Sequence, residues 1–88
     1  MPGDRYTSVM AEIHLNLRGL KCPLPALKTR KALAGLAPGA VIVVECTDPL
    51  AALDIPNLVN ETRDVLEAHN EQDGALVFRI RKSDMKDP

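Results

Sequence analysis

The chain has 88 residues, 45% of them hydrophobic, and a formal net charge of −1. That suffices for one small domain with a modest core, since a chain of this size buries only about 60–65% of its unfolded surface. Near-neutral charge offers no field to gather nucleic acid or anionic lipid. Tyr6 and Phe78 are the only aromatic residues, too few for a base-stacking platform, and no apolar run approaches the roughly 20 residues a membrane span requires.

Residues 1–10 carry Pro2, Gly3, Asp4 and Arg5 without periodicity or an apolar stretch, so they read as a disordered lead and not as a signal peptide. The domain is expected over residues 11–82. Ala11–Leu17 alternates, with Ile13, Leu15 and Leu17 on one face and Glu12, His14 and Asn16 on the other, the pattern of a half-buried strand. His14, alone on the polar face, reads as a solvated histidine, because one imidazole makes no metal site. Gly19 ends the strand, and Pro23–Leu36 reads as a helix whose inner stripe is Ala26, Thr29, Leu33 and Leu36. Lys28, Arg30 and Lys31 fall off that stripe, as a plain wet face or as a docking patch for a partner. The helix stops at Pro38-Gly39.

Ala40–Thr47 is the strongest strand, with Ala40, Ile42, Val44 and Cys46 on its inner face. Asp48-Pro49 then opens a second helical segment, with Asp48 as its expected cap. Pro56 lacks the N–H that a helix interior needs, so the segment reads as two pieces, Pro49–Leu53 and Ile55–Thr62, packed through Leu50, Leu53, Leu58, Val59 and Thr62. Asp73-Gly74 is a hairpin turn signal between Val65–Gln72, where Leu66 and Ala68 look buried, and Ala75–Lys82. Residues 83–88 form a polar tail. The order βαβαββ predicts an α/β (α+β) two-layer sandwich, with both helices on one face of a four-stranded mixed sheet. Its first two strands should be parallel through a crossover. Ligand chemistry in such sheets gathers at the C-terminal ends of parallel strands, which places the Cys22 and Thr47-Asp48 loops together.

Within Gly19-Leu20-Lys21-Cys22-Pro23-Leu24-Pro25, Cys22 is expected to be the helix N-cap and Pro23 the first helical residue. The positive helix end should then lower the thiol pKa. Pro25 stands where a second redox cysteine would sit, so Cys22 works as a single sulfur. Cys46 reads as an inert core residue, the alternative being a resolving thiol. A protease-type nucleophile lacks an oriented base, and no metal or cofactor site is expected. Three roles stay open for Cys22: a covalent carrier of a transferred group, a structural cap in a non-catalytic interaction or regulatory module, and a thiol–disulfide redox group. Two unrelated cysteines fit a reduced, cytoplasmic protein.

The C-P-x-P core at Cys22-Pro23-Leu24-Pro25 resembles the signature of the TusA/SirA-like sulfur-carrier family. Arg30-Lys31-Ala32-Leu33, Pro38-Gly39, Thr47-Asp48-Pro49, Asp54-Ile55-Pro56, Asp73-Gly74 and Ile80-Arg81-Lys82 follow in the family's order. The resemblance implies a fold akin to the C-terminal domain of a translation initiation factor. It also implies a persulfide on Cys22, loaded by a cysteine desulfurase or a rhodanese-type donor and passed to a downstream acceptor protein, as in tRNA thiolation or sulfur metabolism. Neither nucleic acid nor membrane would be contacted directly. Thiolate attack on a sulfur–sulfur bond depends on thiolate fraction and access. A helix-end cysteine beside Lys21, on a turn stiffened by Pro23 and Pro25, suits that reaction, with the Leu24 N–H as the expected donor to the sulfur anion. Leu24 departs from the acidic residue that some family members carry there.

Overall fold

The computed structural model describes residues 12–83. The expected lead at residues 1–10 lies outside them, as does the expected tail beyond Ser83. Ser83 itself is tied to the domain, its N–H donating to Asp64 Oδ1 at 2.9 Å.

Six elements follow in the expected order: β1 (Glu12–Leu17), α1 (Leu24–Ala34), β2 (Val41–Cys46), α2 (Ala51–Thr62), β3 (Val65–Gln72) and β4 (Ala75–Arg81). The four strands form one sheet in the order β1-β2-β4-β3. β1 and β2 are parallel, Leu17 facing Cys46 at their C-terminal ends, while β4 runs antiparallel to both β2 and β3. α1 packs on β2, α2 packs on β3 and β4, and the helices pack on each other. Between the layers lies the core, built from Leu17, Leu33, Ile42, Val44, Cys46, Ala51, Ile55, Val59, Phe78 and Ile80. The inner face predicted for the second strand is therefore the buried one.

The other sheet face is charged. Arg79 bonds Glu12 and Glu67, Arg81 also bonds Glu67, and in the sheet register Arg79 stands opposite Val43, which is 9% exposed.

Three local expectations change. The second helix is continuous through Pro56. An interior proline costs about 3 kcal/mol, but the unbroken helix buries Ile55, Leu58 and Val59, at about 1.5–3 kcal/mol each. Ala51, Ile55, Leu58 and Val59 then make the inner face, at i, i+4, i+7 and i+8. Leu50 and Leu53, expected inside, are 51% and 66% exposed. In β3 the register shifts between Leu66 and Ala68. This bulge adds a residue at Glu67, so Leu66 faces the inner Ile80 while Ala68 faces the outer Arg79. Both were expected on one face. The bulge also sets His69 opposite Phe78, where its ring stacks on that side chain at 4.5 Å while staying exposed.

The hairpin turn is as predicted: Asp73 and Gly74 both take positive φ, 50° and 80°, which the favoured two-residue hairpin requires.

Candidate functional site

Two strand-to-helix loops meet at the shared C-terminal end of β1 and β2. In the first, Gly19 turns the chain at φ 83°, a conformation glycine adopts without strain, and its N–H donates to Thr47 Oγ1 at 2.8 Å. The Cys22 N–H donates to Asp48 Oδ2 at 2.6 Å. Thr47 and Asp48 thus staple the cysteine loop to the second loop, and the expected meeting of the two loops is observed. Asp48 Oδ1 accepts the Leu50 N–H at 3.0 Å. Asp48, expected to cap α2, does not: Leu50 is the N-cap and no side chain caps the helix, so Asp48 binds the approach to α2 and also fixes the backbone of Cys22. These two N–H donors, with Lys21 nearby, hold the Asp48 carboxyl below the usual range.

α1 begins one residue later than the sequence suggested. Pro23 is its N-cap and Pro25 falls in the first turn, leaving Cys22 ahead of the helix with its N–H drawn off to Asp48. No side chain caps α1, so the structural-cap role for the Cys22 side chain is not what it performs. The Leu24 N–H, expected to serve the sulfur, instead closes a turn onto the Lys21 carbonyl at 2.8 Å. At the other end, Gly35 and Leu36 bond back to Ala32 and Leu33, so α1 stops at Ala34, two residues early.

The sulfur itself has a partner that the sequence reading missed. Cys22 Sγ donates to Asp54 Oδ2 at 3.0 Å. The expected low pKa is overturned. Asp54, as acceptor of the S–H, is the main cause of a thiol pKa above the ordinary value, and partial desolvation and the charge of Asp48 act the same way. Removing the proton would place a thiolate against a carboxylate, and the helix end that was expected to favour the thiolate begins one residue further on. Asp54 stood in the sequence as part of a helix break before Pro56. Its signal was an acidic residue among the apolar positions of the first turn of α2.

Cys22 is exposed and Cys46 is buried, both as free thiols. Cys46 is 0% exposed, and burial, with a smaller push from Asp48, lifts its pKa to about 11. Its place in the core fits the inert reading.

Two grooves open beside Cys22. One, of about 520 Å³, runs between the loops past Gly19, Lys21, Cys22, Thr47, Asp48 and Leu50. The other, of about 330 Å³, lies between the helices and includes Cys22, Leu27, Arg30, Asp54 and Glu61. Leu24, Leu27 and Leu50 stay about half exposed around the thiol. Of the three predicted docking cations, Arg30 lies in the second groove, paired with Glu61 at 2.7 Å. Lys28 and Lys31 are exposed on α1. Neither His14 nor His69 lines either groove.

The chain matches the family profile described as Sulfurtransferase TusA over residues 13–82, nearly the whole described domain. It is 40% identical over 67 residues to a candidate sulfur carrier protein of Neisseria meningitidis serogroup A, covering 76% of this chain and 90% of that one. It is 36% identical over 69 residues to the sulfur carrier protein TusA of Allochromatium vinosum, covering 78% and 91%. It is 33% identical over 76 residues to the sulfur carrier protein TusA of Pseudomonas entomophila, covering 86% and 95%. With the C-P-x-P turn at the head of α1 and this two-layer domain, the chain belongs to the TusA sulfurtransferase family.

Proposed function

We propose that the protein is a sulfur carrier, and that Cys22 holds the transferred sulfur as a persulfide. The observation that carries this reading is the placement of Cys22. It is an exposed free thiol whose backbone is pinned by Asp48, at the meeting of two open grooves. A carrier needs a sulfur that a partner's cysteine can reach, in a fixed position, and needs little else.

The chemistry is thiol exchange. Cys22 Sγ attacks the outer sulfur of a donor cysteine persulfide. The Sγ–S bond forms, the donor S–S bond breaks, and the donor sulfur leaves with the electron pair and takes up a proton. In delivery an acceptor thiolate attacks the outer sulfur on Cys22, and Sγ leaves in turn. Each step conserves sulfur and electrons, so no cofactor enters.

Family membership supports sulfur donor and acceptor proteins as partners. A cysteine desulfurase or rhodanese-type enzyme in the cytoplasm suits as donor, and a protein of tRNA thiolation or sulfur metabolism as acceptor. The half-exposed Leu24, Leu27 and Leu50 around the thiol, with Lys21, Lys28 and Lys31 exposed nearby in sequence, suit a protein contact. None of the described helices is long and apolar enough to cross a membrane.

The test is loading by a cysteine desulfurase with cysteine, followed by intact mass measurement. A gain of about 32 Da, one sulfur atom, is expected on Cys22, and Cys22→Ser should abolish it. No gain on the wild-type chain with either donor class, or a gain mapped to Cys46, would overturn the assignment.

A further inference from the structure

We propose that Asp54 keeps the empty Cys22 as a neutral, slow-reacting thiol, and so sets the rate at which that sulfur can be attacked or loaded. The proposal rests on the carrier reading only for its biological purpose; the chemical claim concerns the thiol itself.

The geometry carries it. Asp54 sits in the first turn of α2 and reaches across the inter-helix groove to accept the Cys22 S–H at 3.0 Å. The two residues are 32 positions apart, so the contact is a product of the fold. The charged groups facing the sulfur are unbalanced. Asp54 lies against it from α2, and Asp48 acts on it from the β2–α2 loop. Lys21, next to Cys22, acts on Asp48. Arg30, further along α1 in the same groove, is engaged by Glu61. Among the described residues no cation is paired with Asp54.

A carboxylate beside a thiol can act in two opposite ways. It can take the proton and release a thiolate, or it can accept the hydrogen bond and leave the proton in place. Carboxylates are weaker bases than thiolates by about four to five pKa units, so the second outcome dominates in the resting protein. The raised thiol pKa has the same sign.

On the carrier reading this restraint has a use. An exposed thiolate with no fixed partner is oxidised and cross-linked by whatever it meets. A carrier passes between proteins with its sulfur uncovered. Held protonated, Cys22 reacts slowly with chance disulfides and peroxides, and reacts with its donor once docking alters the surroundings of the carboxylate.

The rate of Cys22 alkylation by iodoacetamide, followed from pH 6 to 10 on the full chain, tests this. Peptide mapping separates Cys22 from Cys46. Asp54→Asn should move the alkylation midpoint down and speed the reaction at pH 7. Each unit of pKa lowering raises thiolate tenfold, but the less basic thiolate is a poorer nucleophile, leaving a net gain of roughly threefold per unit. Asp54→Glu keeps the charge on a longer arm and should retain part of the upward shift, which a purely packing role would not predict. An unchanged or higher midpoint in Asp54→Asn overturns the proposal. The carrier reading fails by a different sign: no sulfur gain in the mass assay, whatever the alkylation midpoint.

Discussion

The two cysteines stand on two sides of one junction. Cys46 ends β2 on its inner face, opposite Leu17 of β1. Cys22 lies five residues beyond Leu17, in the loop that β1 feeds. One is wholly buried and the other exposed, yet both thiols are shifted upward, for different reasons. Burial dominates at Cys46, and a hydrogen-bonded carboxylate dominates at Cys22. The first restraint can be lifted only by opening the core. The second can be lifted by anything that disturbs one exposed contact. On the carrier proposal, reactivity that a partner switches belongs at Cys22, and packing belongs at Cys46.

The largest expected effect separates the two roles. Cys22→Ser should abolish sulfur loading and leave the thermal midpoint nearly unchanged, because the side chain is exposed. Cys46→Ser should do the reverse. It places a hydroxyl in an apolar core, at a cost of about 1–3 kcal/mol, or several degrees of Tm in a domain of this size, while loading persists. Parallel melting curves and intact masses on both variants read this out. Loss of loading in a folded Cys46→Ser protein would merge what the comparison separates.

The side of the junction that holds Cys46 was legible in the sequence, and much of the Cys22 side was not. Alternation over Ala40–Thr47 put Ile42, Val44 and Cys46 inside because strand periodicity depends on neighbours two residues apart. Asp73-Gly74 announced its turn through backbone conformations that few residue pairs adopt. Such signals are local. The Cys22–Asp54 hydrogen bond is not: one partner sits in the loop after β1 and the other in α2, 32 positions away, and neither residue carries a mark of the other. The same holds for Pro56. Its local cost was visible, but the burial of Ile55, Leu58 and Val59 that outweighs it depends on a sheet assembled later. The bulge at Glu67 left no periodic trace because β3 is weakly patterned. Asp48 lay between these cases: Asp-Pro grammar marked it as a local acceptor of a backbone N–H, which it is for Leu50, but not as the cap it was expected to be, and its bond to Cys22 required the two parallel strands to end together.

Asp48 gives the next effect, because it links the two cysteine neighbourhoods. Its folded pKa lies below the unfolded value of about 3.9. Asp48 therefore contributes stability above about pH 4, and that contribution is lost as the pH falls through the lower folded value. Asp48→Ala should be less stable than wild type at pH 7, with the gap closing in acid as the carboxylate of the folded protein takes up its proton. Urea titrations at pH 7 and in acid test this. The same variant should load sulfur more slowly at pH 7, since the Cys22 N–H loses its anchor. A stability gap that persists unchanged in acid would place the contribution of Asp48 in packing.

A smaller effect concerns the approach to Cys22. Reversing the charges of Lys28 and Lys31 together should slow sulfur acceptance several-fold at low ionic strength, and the deficit should shrink as salt rises, because steering by exposed charges is screened over about 10 Å at 0.1 M. A salt-independent deficit would mean that α1 itself was damaged.

The smallest expected effect is at Arg30 and Glu61, which join the helices across the groove below Cys22. Their side chains are 52% and 64% exposed, so water competes for both charges and the long Arg30 chain loses freedom on pairing. A double-mutant cycle of Arg30→Ala and Glu61→Ala should give a coupling of about 0.2–1 kcal/mol that falls with added salt. That range would make the ion pair a local feature of the groove, releasable when a partner enters, while the helices stay together through Leu33, Ile55 and Val59 in the core. A coupling above about 2 kcal/mol would be too large for an exposed pair. It would tie the reactive side of the junction to global stability, and a partner could not then open the groove without straining the fold that buries Cys46.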